Sequence, residues 1–172
     1  MHTDTIYQWL DGVVPGGFSN RVNGSFAIAT GSTPTGQALA CTLDFHQVDT
    51  GLVNAADGET SIRCELLTLT EGGPTAIAEA VRIVSAAANI LQRSQGAFEA
   101  QPGTLLAGLA AEAELDFAAT PLRHGLLISP TLWGGPVPQY TEAEAKRQTL
   151  VLQVVLLTAA EYETALQTRQ VG

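Results

Sequence analysis

Thr149-Leu150-Val151-Leu152-Gln153-Val154-Val155-Leu156-Leu157 is the most apolar run of the chain, and Thr158-Ala159-Ala160-Glu161 follows it without a break. Valine and leucine at nearly every position, with Gln153 the only strongly polar side chain inside the run, suit a strand covered on both faces, so this segment is expected at the centre of a sheet. Thr158 and Glu161 stand at the spacing of a capping box, in which a hydroxyl and a carboxylate satisfy amides left open at a helix start. A terminal helix carrying Tyr162 and Leu166 should therefore begin where the strand ends.

Working back from this strand, Leu122 to Ile128 reads as another strand stopped by Pro130. Between the two, Trp133-Gly134-Gly135-Pro136-Val137-Pro138 is irregular, while Thr141 to Lys146 is expected to form one helical turn supported by Glu142 and Lys146. Leu105 to Leu115 is rich in alanine and fits either helix or loop, and Gln101-Pro102-Gly103 breaks the chain before it. From Pro74 the period is about 3.6, with Ile77, Val81, Val84, Ala88 and Leu91 in one seam and Ala80, Ile83, Ala87 and Ile90 widening it, which predicts a long core helix.

The first third alternates with period two. Ile62 to Leu69 sets Ile62, Cys64 and Leu66 against Arg63 and Glu65, and Asp49 to Ser61 before it is polar and loop-like. In Ala38 to Val48, Cys41, Leu43 and Phe45 share one face while Thr42, Asp44 and His46 share the other. With the apolar run Phe26 to Thr30 and a turn at Gly31 to Gly36, this predicts a half-buried antiparallel hairpin. Ile6, Trp9, Leu10 and Val13 form a short amphipathic helix behind Thr3 or Asp4 as cap, ended by Pro15-Gly16-Gly17. Strands and helices mix without strict alternation. The expected class is α+β, a mixed, largely antiparallel sheet packed against a long central helix and a C-terminal helix.

With 172 residues, 45% apolar and 15% charged, the chain fits one globular domain over residues 1–172. Cys41 and Cys64 lack metal-ligand spacing, which favours a reduced, cytoplasmic setting over a disulfide framework. Eight Lys plus Arg against seventeen Asp plus Glu give a net charge of -9, so DNA and RNA would be repelled over most of the surface. No apolar stretch of about 18 residues is present, and Met1 to Leu10 is polar and acidic, so neither a membrane span nor a leader is expected.

Taken in order, the second half resembles a suppressor-of-fused-like domain, a family found as single domains in bacteria and within the animal Hedgehog-pathway regulator. The pieces are Cys64-Glu65-Leu66-Leu67-Thr68 on a strand and the apolar helix from Ala76 to Leu91. They continue with Gln101-Pro102-Gly103-Thr104-Leu105, then Thr120-Pro121-Leu122 leading into Gly125-Leu126-Leu127-Ile128, and end with Leu150 to Leu157 running into Thr158-Ala159-Ala160-Glu161-Tyr162. The resemblance covers about residues 60 to 166, and order and spacing carry it rather than any single motif. It implies a bacterial binding domain rather than an enzyme, since bacterial members are often proposed to be immunity proteins that neutralise toxins. The animal protein clamps a peptide with a further lobe. This chain is expected to lack that lobe, so no clamp residues carry over.

Chemical candidates are few. Cys41 and His46, five apart on an expected strand, point to opposite faces, which disfavours a nucleophile and base there. Cys64 and His124 lie on strands that could be neighbours, against the simpler reading of a buried thiol and an edge histidine. His2, His46 and His124 are the only histidines and form no zinc pattern. The carboxylates Asp57/Glu59, Glu112/Glu114/Asp116 and Glu142/Glu144 fit solvated faces better than catalytic pairs. Gly31 to Gly36 lacks the Lys-Ser/Thr ending of a phosphate loop. Trp133 and Tyr140, in irregular chain, fit either an anchor for a partner protein or a loop folded back on the core.

The leading expectation is a non-catalytic domain, without metal or cofactor, that occludes a protein partner, with a basic toxin as the fitting example. Its contact residues are expected among Trp133, Tyr140, Glu142, Glu144, Asp44 and His46. The alternative is a small cytosolic hydrolase using Cys64 or a carboxylate pair with His124. An assembly subunit is the third reading, and it requires a large symmetric apolar interface.

Overall fold

In the computed structural model, which describes residues 2–171, the run at 149–157 is the middle of the longest strand. The elements are α1 (Thr3–Val13), β1 (Asn20–Asn23), β2 (Ala27–Ser32), β3 (Ala38–Thr42), a 3-10 turn (Phe45–Gln47), β4 (Ser61–Thr70) and α2 (Ala76–Arg93). They continue with β5 (Leu105–Leu106), α3 (Leu109–Glu112), β6 (Leu122–Ile128), β7 (Tyr140–Glu142), β8 (Arg147–Thr158) and α4 (Ala159–Val171). The strands form one sheet in the order β1-β2-β3-β4-β8-β6-β5, and β7 adds to β8. Among the described residues only β4 and β8 run parallel, and the other ladders are antiparallel. The fold is α+β, with a mixed, mostly antiparallel sheet.

β8 holds the sheet together because its two edges are used differently along its length. On one edge β4 pairs from Ser61↔Arg147 to Leu67↔Gln153. On the other, β7 pairs with residues 147–149 and β6 with residues 153–158. Alternation then sends successive side chains to opposite layers. Cys64, Leu66, Leu127, Leu152 and Val154 pack with Ile83, Ala87 and Leu91 of α2. Ala29, Leu39, Cys41, Leu67 and Val151 pack with Ile6, Leu10 and Val14 from the α1 segment. Each fully buried leucine or isoleucine in these layers contributes about 1.5–3 kcal/mol.

Several boundaries depart from the sequence expectation for physical reasons. On α2 the buried stripe is Ala76, Ala80, Ile83, Val84, Ala87 and Leu91, while Ile77 is 40% exposed. The alanine-rich side lies against the sheet because small side chains let helix and strands approach closely. The strand expected across 38–48 ends at Thr42, since Leu43 N–H turns to Ala27 O at 2.8 Å and the Asp44 carboxylate accepts from Ala27 N–H at 3.1 Å. Thr141 to Lys146 is not a helical turn: Tyr140–Glu142 is β7, and a tight turn with Lys146 at φ 52° leads into β8. Strand pairing wins there because the start of β8 needs a neighbour on that edge, and Glu142 ends opposite Arg147 rather than beside Lys146.

The ambiguous Leu105 to Leu115 resolves into the two-residue β5 and the single-turn α3. Strand β1, exposed at all four residues, had no apolar alternation to announce it. His2, not Thr3 or Asp4, takes the cap position of α1, where its carbonyl accepts from Thr5 and Ile6 N–H. The capping box of α4 is present as read: Thr158 N–H donates to Glu161 Oε1 at 2.8 Å and Glu161 N–H to Thr158 Oγ1 at 3.2 Å. Glu161 is thereby held below the usual carboxylate range, chiefly by the Thr158 backbone amide. No helix among the described residues is long and apolar enough to cross a membrane.

Candidate functional site

The densest polar constellation surrounds Glu65, which is fully buried on β4. Its Oε1 accepts from His46 N–H at 2.8 Å and lies 2.7 Å from His46 Nδ1; its Oε2 accepts from Thr42 Oγ1–H at 2.7 Å and Phe45 N–H at 3.2 Å. Two of these donors are amides of the 3-10 turn, so the carboxylate shapes that turn. A carboxylate oxygen is acceptor-only when ionised, so in the ionised form the Nδ1–H tautomer of His46 completes the set of donors. Arg63, 9% exposed, adds a guanidinium bond to His46 O at 2.8 Å and reaches Asp49 at 3.6 Å. The set is sealed, with His46 only 1% exposed. A proton relay to a substrate has no open side here, and the constellation reads as internal bracing.

This geometry corrects the place given to His46: its side chain is enclosed and is removed from the expected surface contacts. Asp44 is half-buried, with both carboxylate oxygens on Ala27 N–H. Glu142 is half-buried on β7 and acts electrostatically on Arg63, whereas Glu144 is exposed in the β7–β8 turn.

Trp133 and Tyr140 are brought to one place. The segment 130–138 folds back over α1, and Trp133 Nε1–H donates to Val13 O at 2.7 Å. Tyr140 packs on Trp9 with ring centroids 5.6 Å apart. Trp9 and Trp133 both pack half-buried on the α1 layer with Leu132 and Val137, and half-buried Tyr140 joins them through Trp9, so α1 carries an aromatic shelf. Both readings of Trp133 apply to parts of the same ring system: it fills a satellite core and also shows an edge. Trp9 was missed as a member because its spacing with Ile6, Leu10 and Val13 marked it as core stripe.

The thiols sit in apolar layers. Burial pushes both Cys41 and Cys64 well above the ordinary thiol range, with the Glu65 charge adding to the shift. Cys41 S–H donates to the adjacent Thr42 O. His124 Nδ1 accepts from Gly108 N–H at 2.9 Å, and its ring packs on Tyr162 with centroids 4.1 Å apart. Cys64 faces α2, so the Cys64 and His124 pair considered from sequence is not assembled by these contacts. Among the described residues no group of three or more His, Cys, Asp or Glu is gathered as a metal site requires.

The charges outside are unequally engaged. Arg21 pairs with Asp4 at 2.9 Å, Arg93 with Glu112 at 2.6 Å and Lys146 with Glu59 at 2.7 Å. Arg123 is spent on the carbonyls of Thr120, Leu122 and Phe117 and lies over the Phe117 ring. Exposed ion pairs of this kind contribute little to stability, but they do neutralise cations locally. Glu71, Glu114, Glu144 and Glu163 remain exposed with no basic partner among the described residues. No family model matches the chain, and no curated protein matches it.

Proposed function

We propose that this protein is a non-catalytic binding module that covers a basic surface of a partner protein, in the manner of an immunity protein masking a toxin. The observation that carries the reading is the charge balance. A net charge of -9 is spread over a surface on which most of the few cations are already held by the chain's own carboxylates or carbonyls. Such a field speeds encounter with a cationic partner and repels nucleic acid. The order of strand, long helix, Pro-Gly turn, strand and capped terminal helix, which resembles the suppressor-of-fused-like family, supports a binding rather than an enzymatic role. So does the chemistry of the interior, where the thiols are buried and protonated. The aromatic shelf of Trp9, Trp133 and Tyr140 supplies the kind of rigid rings that anchor interfaces.

The test is direct. The purified full chain is titrated with the protein encoded beside its gene, and the two are co-expressed in cells. Tight, salt-sensitive binding and protection from that protein's toxicity are expected; neither binding nor protection would overturn the reading.

A further inference from the structure

The parallel ladder between β4 and β8 stops at Leu67↔Gln153, although both strands continue. Past that point β4 stays with β3, through Thr68↔Ala40 and Leu69↔Leu39, while β8 stays with β6, through Val154↔Leu127 and Leu156↔Gly125. The sheet therefore splits. Thr68 Oγ1–H donates to Val154 O at 2.8 Å and closes the root of the split. Above it opens a cleft of about 420 Å³ whose lining includes the half-buried Leu122 and Leu156, the buried Ile83 of α2 and Val154 beneath them, and the carboxylates Glu71 and Glu79. It lies between the diverging second halves of two parallel strands, within their lengths. Its size falls at the lower end of the roughly 300–1,000 Å³ typical of ligand clefts.

The lining sets the chemistry of the occupant. Among the described residues no lysine or arginine lines the cleft. Arg82, one turn along α2 from Glu79, lines a different recess, and the Arg123 guanidinium is held by backbone carbonyls. The N-terminus of α2 brings a positive end charge of about half a unit, against two carboxylates on the rim. The field at the mouth is negative. A wholly apolar occupant would strip water from the rim carboxylates without replacing it, and an anion would be repelled. A long aliphatic stem ending in a cation satisfies both floor and rim.

We propose that this cleft receives a single lysine or arginine side chain of the partner protein, its methylenes on Leu122 and Leu156 and its head group between Glu71 and Glu79. This rests on the binding-module reading above and gives it a specific point of contact.

The experiment records methyl spectra of the full chain during titration with N-acetyl-lysine N-methylamide, the neutral norleucine counterpart, and the acetyl-glutamate counterpart. Shifts at Ile83, Leu122, Val154 and Leu156 with the lysine probe alone are expected, weakened about tenfold by Glu71→Gln with Glu79→Gln and reduced by salt. Equal shifts with norleucine, no shifts at these methyls, or binding unchanged in the double variant would each overturn the proposal. Unchanged methyl spectra of the free variant serve as the folding control, and the salt series on the unaltered chain gives a second measurement independent of substitution. A partner that binds the double variant as tightly as the original chain sinks the cleft assignment and leaves the binding module standing; absence of any basic partner overturns the binding module, and the lysine-probe titration then still reads the cleft's own preference for a cationic stem.

Discussion

Replacing Glu65 by glutamine keeps the volume and removes one acceptor from a sealed site. The carboxylate receives four donors: the backbone amides of Phe45 and His46, the Thr42 hydroxyl and His46 Nδ1. A glutamine amide has one oxygen and one NH2. If the NH2 takes the Oε1 position it meets His46 N–H, and although the imidazole can change tautomer and accept, the backbone amide cannot. If it takes the Oε2 position, Thr42 can rotate its hydroxyl, but Phe45 N–H is left facing a donor. Either way one buried amide is orphaned, which costs about 1–3 kcal/mol, and the surviving bonds lose their ionic strengthening. A total near 3 kcal/mol is a large share of the roughly 5–15 kcal/mol that holds an ordinary domain folded. For a chain of this length it lowers Tm by about 6–12 °C.

Urea unfolding followed by the fluorescence of Trp9 and Trp133 reads the loss directly, because both rings sit with the α1 layer. The slope should stay constant while the midpoint falls. Pairing Glu65→Gln with Thr42→Val in a double-mutant cycle should give a coupling of about 1 kcal/mol or more, since the hydroxyl both donates to Glu65 and accepts from Leu66 N–H at 2.8 Å. A Glu65→Gln loss below about 1 kcal/mol, or strict additivity in the cycle, would refute the bracing role argued for this carboxylate.

Three further outcomes follow from other parts of the molecule. Cys41 and Cys64, free and buried with raised pKa, should resist iodoacetamide at pH 8 in the native state and react fully in urea; rapid native labelling of either would contradict the packing. Thr158→Ala should increase amide exchange in the first turn of α4 by about fivefold while leaving β8 protected, and unchanged exchange at Glu161 would show that the cap does not hold that turn. Asp57 accepts from the Thr60 hydroxyl and from the Glu59 and Thr60 amides, which lowers its carboxyl from 3.8 to about 2. A depressed folded value means the loop's support is complete above about pH 4 and is lost as pH falls through about 2. Carbon-detected titration should show that midpoint in the native chain and not in Asp57→Asn.

The elements legible from sequence were those whose own side chains carry the period. β4, β6, β8, α2 and the α4 cap have either dense alternation, a wide helical stripe or a reciprocal pair such as Thr158 and Glu161. What escaped depended on distant partners. β1 exists because β2 offers an edge, and Asn20 to Asn23 have no apolar face of their own. β7 forms because β8 has an open edge at residues 147–149, which no local propensity at Thr141 to Lys146 encodes. The early end of β3 is decided by Ala27, whose carbonyl and amide engage Leu43 N–H and the Asp44 carboxylate from 16 and 17 residues away. For the candidate site the same limit held. Trp133 and Tyr140 could be marked as unusual, but their docking on α1 rests on distant contacts, Trp133 with Val13 across 120 residues and Tyr140 with Trp9. The cleft above Thr68 arises from where a ladder stops, a property of register that individual residues do not announce.

The lone parallel ladder has a consequence for how the chain reaches its native state. Thr68 and Val154 are 86 residues apart, so the seam between the two halves of the sheet closes only after α2, β6 and β7 have been threaded into place. During synthesis β4 leaves the ribosome long before its neighbour and carries Cys64, Leu66 and Leu67 on an unpaired flank. Long-range parallel pairing of this kind is slow and leaves sticky flanks exposed in the interval. Chains halted before residue 147 should therefore depend on chaperones, and refolding of the full chain should show a slower phase in which the β4–β8 ladder gains amide protection after β3–β4 and β6–β8.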